Sequence, residues 1–129
     1  MLTLPNSVRV FNGTPHVIRF YHPEWSEPVE VEPDEVISAT IEEEPVIPDL
    51  AYGHLIGAVE FVHTSYVGND EARAIVAMAM RDADVVVGSI IAAQAYPGDV
   101  VAMVPAEGYE RVPPAEKRMR PDKFTIFSQ

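Results

Sequence analysis

Residues Asp84 to Pro105 constrain the chain most, because they read as a strand, a helix and a second strand joined by two tight breaks. Val85-Val86-Val87 is a β-branched run with the composition of a strand buried on both faces. Gly88-Ser89 interrupts it, and Ile90 to Tyr96 then reads as a short apolar helix with Ser89 at its N-cap. Pro97-Gly98 stops that helix, and Asp99 to Val104 returns as an apolar strand ended by Pro105. A strand entering a helix through Gly-Ser turns free backbone N–H groups and the positive end of the helix dipole toward one point. An anion such as a phosphate can sit there. Ser89 as a plain cap, with no ligand, is the competing reading.

The remaining chain supplies strands and one longer helix. Ser7 to Phe11 and Val17 to Tyr21 alternate polar with apolar residues, as half-buried strands do. Asn12-Gly13 between them is a turn dipeptide and Pro15 extends Thr14, so the two segments are expected to form a hairpin whose second arm begins at His16. Trp25, the only tryptophan, falls in the next loop, where an aromatic ring either stacks on a ligand or covers the core. Glu27 to Glu32 reads as an edge strand, being charged and holding Pro28. Glu35 to Glu42 reads as a further strand, ended by Glu42-Glu43-Glu44-Pro45, and Ala58 to Val62 as another, with His54 before it and His63 after. Asn69-Asp70-Glu71 is a helix start, with a cap and two acids in the first turn. Ala72, Ile75, Val76 and Ala79 make its apolar stripe. Lys123 to Phe127 is the last expected strand. The pattern predicts one α+β domain over residues 1–129, with a mixed, mainly antiparallel sheet, a helix over about 69–82 and a short helix over about 89–96.

Composition removes several classes of function. The chain has no cysteine, which excludes disulfides, thiolate catalysis, zinc–thiolate sites and iron–sulfur clusters. The first ten residues lack a basic segment followed by an apolar run, so no signal peptide is expected. No apolar stretch approaches the roughly 20 residues of a membrane span, and the expected location is the cytoplasm. The net charge of −11 opposes binding to polymeric nucleic acid or an anionic membrane. Glu24 to Asp49 carries ten acids and no Lys or Arg, whereas Glu107 onward carries five basic residues against four acids. Such a divided chain has surfaces for homo-oligomerisation, or for a basic host protein.

The four histidines, His16, His22, His54 and His63, show no HxxxH or HExxH spacing, so no metal site is expected. Ser89 lacks the GxSxG elbow of a serine hydrolase, and the glycine motifs of Rossmann and P-loop proteins are absent. No cofactor is expected. The segment Asn12-Gly13-Thr14-Pro15-His16-Val17-Ile18 resembles the N-L-T-P-H-x-I opening of a group of small, mostly phage and prophage proteins. Val86-Val87-Gly88-Ser89, Ala93-Gln94-Ala95 and Asp99 with Pro105 are similar to a second block of that group. The chain departs from it at Gly13, at Gly88 and in lacking an Arg before Asp99, for which Arg111 or the Arg118/Arg120 cluster is expected to substitute.

The resemblance implies a phage setting, in which small proteins capture or degrade host-defence nucleotide signals. Asn12, Thr14, His16, Trp25, Ser89, Gln94, Asp99 and Arg111 are accordingly the candidate ligand-binding residues. Ser89 would take a phosphate, Arg9, Arg19 or Arg111 would neutralise it, and Asn12 and His16 would read a base or ribose. The leading expectation is a protein that sequesters a nucleotide-like ligand without turnover, with no catalytic residue. Two alternatives stand beside it: an acidic protein-binding or structural role, and a small hydrolase using His16 or His63 with Asp99.

Overall fold

The computed structural model describes residues 1–47 and 59–128. Its order is β1 (Leu2–Thr3), β2 (Arg9–Asn12), β3 (Ile18–Phe20), β4 (Val29–Val31), β5 (Thr40–Val46), β6 (Phe61–Val67), α1 (Asp70–Asp82), β7 (Val85–Val87), α2 (Ile90–Ala95), β8 (Ala102–Pro105), a 3-10 turn (Pro114–Glu116) and β9 (Met119–Thr125). The fold is α+β. Its strands form three groups, ordered β1-β2-β7, β4-β3-β9-β8 and β5-β6. Pairing is mixed and mainly antiparallel: among the described strands, β2 with β7 and β3 with β9 run parallel and the other four pairs antiparallel.

The strand–helix–strand unit forms as its sequence dictates. Ser89 caps α2 by accepting from the Ala92 amide at 3.0 Å, and Gly98 at φ 86° carries the chain out of the helix. The returning chain meets β7 through a single parallel bridge, Val87 to Val101, before pairing with β9. Asp99 and Val100 lie in the turn that follows α2, because both amides bond back to the Tyr96 carbonyl. The second strand therefore starts later than the sequence suggests. Upstream, Asn69 caps α1 by accepting from the Ala72 amide at 2.8 Å, and Ala72, Val76 and Ala79 are its buried stripe.

The alternation of β2 and β7 builds two cores. Phe11 and Val86 face a cluster with Ala72, Val76, Ala92, Ala93 and Tyr96 of the helical layer. Val10 and Val87 point the other way, to a cluster with Leu4, Ile18, Phe20 and Val31. The helices, the β1-β2-β7 sheet and the β4-β3-β9-β8 sheet are thus three successive layers. Phe20 is fully buried and meets Phe124 edge-on, with ring centroids 6.2 Å apart.

The expected hairpin between the first two longer strands does not form. β2 pairs with β1 and β7, while β3 pairs with β4 and β9 in the other sheet. The reason lies at Asn12, whose buried amide redirects the chain. Its Oδ1 accepts from the amide and hydroxyl of Thr14, and its Nδ2 donates to the carbonyls of His16 and Val31. Gly13 is required by close packing rather than by a turn: a Cβ there would lie 2.5 Å from Ile37 Cδ1 and 2.8 Å from the Val87 carbonyl.

Three other boundaries move. Glu35 to Ala39 is irregular because Ile37 is drawn into the core and donates its amide to the Gly13 carbonyl. The strand then runs through the three glutamates and Pro45 instead of ending at them, paired from Thr40↔Val67 to Val46↔Phe61. β6 accordingly spans Phe61–Val67 and contains His63; Ala58 and His54 lie outside the described residues. β9 begins at Met119, because its first residue pairs with Phe20 in the centre of the second sheet. β4 is an edge strand, as its charge and Pro28 suggest.

Candidate functional site

A cavity of about 610 Å³ opens where the two larger sheets meet. The loop between β2 and β3 forms one wall with Thr14, Pro15, His16 and Val17, and Ser89 enters from the β7–α2 turn. The second sheet supplies Ile18, Arg19, Met103 and Met119, and the segment around the 3-10 turn adds Pro114, Ala115 and Lys117. His16, Thr14 and Ser89, distant in sequence, are therefore brought to one place. The floor is apolar, with two methionines whose flexible side chains and polarisable sulfurs accommodate a flat ring. Among the described residues its charged lining is Arg19 and Lys117, with no carboxylate. In a chain of net charge −11, that is a local reversal of sign.

Hydrogen bonding separates the supporting groups from the available ones. Asn12 is fully buried and its amide is saturated, so it shapes the loop and presents nothing to the cavity. The Thr14 hydroxyl is spent in the same network, 2.7 Å from Asn12 Oδ1 and 3.3 Å from the His16 amide. Ser89 Oγ accepts from Ala92 but keeps its own proton to donate. His16 is exposed and held through its backbone amide and carbonyl. Arg19 Nε donates to Glu30 at 3.0 Å and one Nη donates to the Ala115 carbonyl, which leaves other guanidinium protons free. Lys117 reaches the Glu110 carbonyl only at 3.4 Å. Since α2 has six residues, its dipole adds little, and the attraction for an anion comes from the two side-chain cations.

Several expected site residues lie elsewhere. Trp25 is half-buried against the second core, its ring 6.3 Å from that of His22, so it covers the core. Gln94 is exposed on α2. Asp99 lines two other grooves, one with Arg73 and Tyr96 and one with Val85 and Phe124. Arg111 is exposed and does not line the cavity. Arg118 is held between the rings of Tyr21 and Tyr109, at 4.9 and 5.0 Å from their centroids. Arg120 is hydrogen-bonded to Asp122, and that bond holds the Asp122 carboxyl below the usual carboxylate range. The basic groups at the cavity are thus Arg19, already a candidate, and Lys117, visible in sequence only as part of a basic cluster.

Among the described residues, no group of three or more His, Asp or Glu side chains is arranged to hold a metal ion, and no helix is long and apolar enough to cross a membrane. Of the pair considered for acid–base catalysis, His16 lines this cavity, whereas Asp99 lines the two other grooves. His63 lies on β6, opposite Glu44. No family, curated protein or solved structure matches the chain.

Proposed function

We propose that the cavity between the two sheets takes up a nucleotide-like small molecule and holds it without turnover. The observation that carries this reading is the lining: Arg19, Lys117, His16 and the Ser89 hydroxyl stand around an apolar floor, with no carboxylate among the described lining residues. Such a site complements a ligand with a flat, weakly polar body and an anionic end. Uptake without chemistry is favoured because Asp99, the acid considered for a hydrolase, lines other grooves. The resemblance of Asn12 to Ile18 to small phage proteins gives the capture a setting: removal of a host-defence nucleotide signal in the cytoplasm.

The test uses Ser89, where two cap-preserving substitutions of nearly equal size differ in charge. Asp and Asn both cap helices well. Ser89→Asp places a carboxylate at the cavity and should weaken nucleotide binding by about tenfold or more, whereas Ser89→Asn should retain the fold and much of the affinity. Calorimetric titration with a panel of nucleotides measures this, and chromatography of the recovered ligand shows whether it is intact. Failure of every nucleotide to bind sinks the reading, and a cleaved ligand replaces it with hydrolysis.

A second reading rests on the β5–β6 ribbon. No residue of either strand is buried, and Glu42, Glu43 and Glu44 are all exposed. That surface suits a basic protein partner or self-association. Loss of partner binding on reversing these three charges, with nucleotide binding intact, would separate it from the first.

A further inference from the structure

We infer that the cavity selects ligands bearing one or two negative charges, a phosphate monoester or diester, and discriminates against polyphosphates. This rests on the proposed nucleotide-like ligand and adds to it the number of charges that the site can balance. Two cations line the cavity, and one of them is shared: Arg19 sits opposite Glu30 across the β3–β4 pair and donates to it at 3.0 Å. The positive charge left for a ligand is therefore between one and two units. A monoester or diester phosphate matches that number. A triphosphate adds two or more charges with no further cation among the described lining residues to meet them, inside the repulsive field of a chain at −11. The short helix supplies no further compensation, since α2 has only six residues. Arg118 and Arg120 are unavailable, the first stacked between Tyr21 and Tyr109 and the second bonded to Asp122. The apolar floor of Met103 and Met119 fits the uncharged end of the same molecule.

The experiment is a calorimetric comparison, at fixed ionic strength, of the adenosine and guanosine 5′-monophosphates, the 3′,5′-cyclic monophosphates and the corresponding triphosphates. For the base that binds, the best monophosphate or cyclic monophosphate should exceed the triphosphate by about tenfold in affinity. Glu30→Gln releases Arg19 from its exposed partner and should narrow that ratio by about threefold, while leaving thermal stability nearly unchanged. Triphosphate binding equal to or tighter than monophosphate, in the native protein, overturns the charge selection but leaves nucleotide capture standing. An unchanged ratio in Glu30→Gln overturns the role assigned to the shared cation. Absence of binding by the whole panel overturns both.

Discussion

Asn12 is one of two buried polar residues among those described, and it holds the corner where the two sheets diverge. Its amide makes four hydrogen bonds within a fully buried corner, linking the end of β2, the following loop and β4. Truncation to Ala would leave the buried Thr14 amide without its acceptor, and would take a donor from the Val31 carbonyl and one of two donors from the His16 carbonyl. Asn12→Ala should therefore lose about 2–4 kcal/mol of stability, read as a lower urea midpoint, and should weaken ligand binding because the same loop walls the cavity. Thr14→Val, which removes one hydroxyl from that network, should cost less. In sequence, Asn12-Gly13 reads as a hairpin turn because such dipeptides usually are one. Nothing local reveals that the partners of Asn12 include Val31, nor that Gly13 answers a close approach of Ile37. Ser89 differs: its capping role is fixed by the residues immediately after it, and it was legible.

At the scale of elements, those that close their own hydrogen bonds were the readable ones. α1 carries its cap, its acidic first turn and its buried stripe within 14 residues, Asn69 through Asp82, and α2, with Ser89 at its cap, is similarly local. The β5–β6 ribbon was misplaced because its register is set by pairing between distant residues, and because Pro45 and three glutamates argue against a strand. An exposed edge pair tolerates both. Such a two-stranded ribbon gains little from burial. Its amides should exchange with solvent at least about tenfold faster than those of β2 and β7, which lie between two cores; hydrogen-exchange mass spectrometry resolves the two regions. Equal protection would mean that the ribbon is covered in solution.

Across the whole molecule, the layers were not legible because both parallel pairings span most of the chain. Val10 meets Val85, and Phe20 meets Met119. Periodicity shows that a segment has a buried face, but not which sheet will receive it. The candidate cavity depends on that choice, since it exists only where the two sheets are brought together. His16 and Ser89 were recognisable as chemically apt residues, whereas Met103, Pro114 and Met119 carry no local mark of a binding floor.

The same long-range pairings shape how the protein comes into being. Phe20 leaves the ribosome roughly a hundred residues before its neighbour Met119, an interval on the order of ten seconds at ordinary synthesis rates. Throughout it β3 can pair with β4 but not with β9, and β2 has β1 beside it before β7 is made, so each keeps one unpaired edge and is a candidate for chaperone protection. Refolding of the purified chain should correspondingly fall in the millisecond-to-second range typical of non-local topologies, not the microsecond range of helical bundles. Stopped-flow fluorescence of Trp25, packed on the second core, would time it.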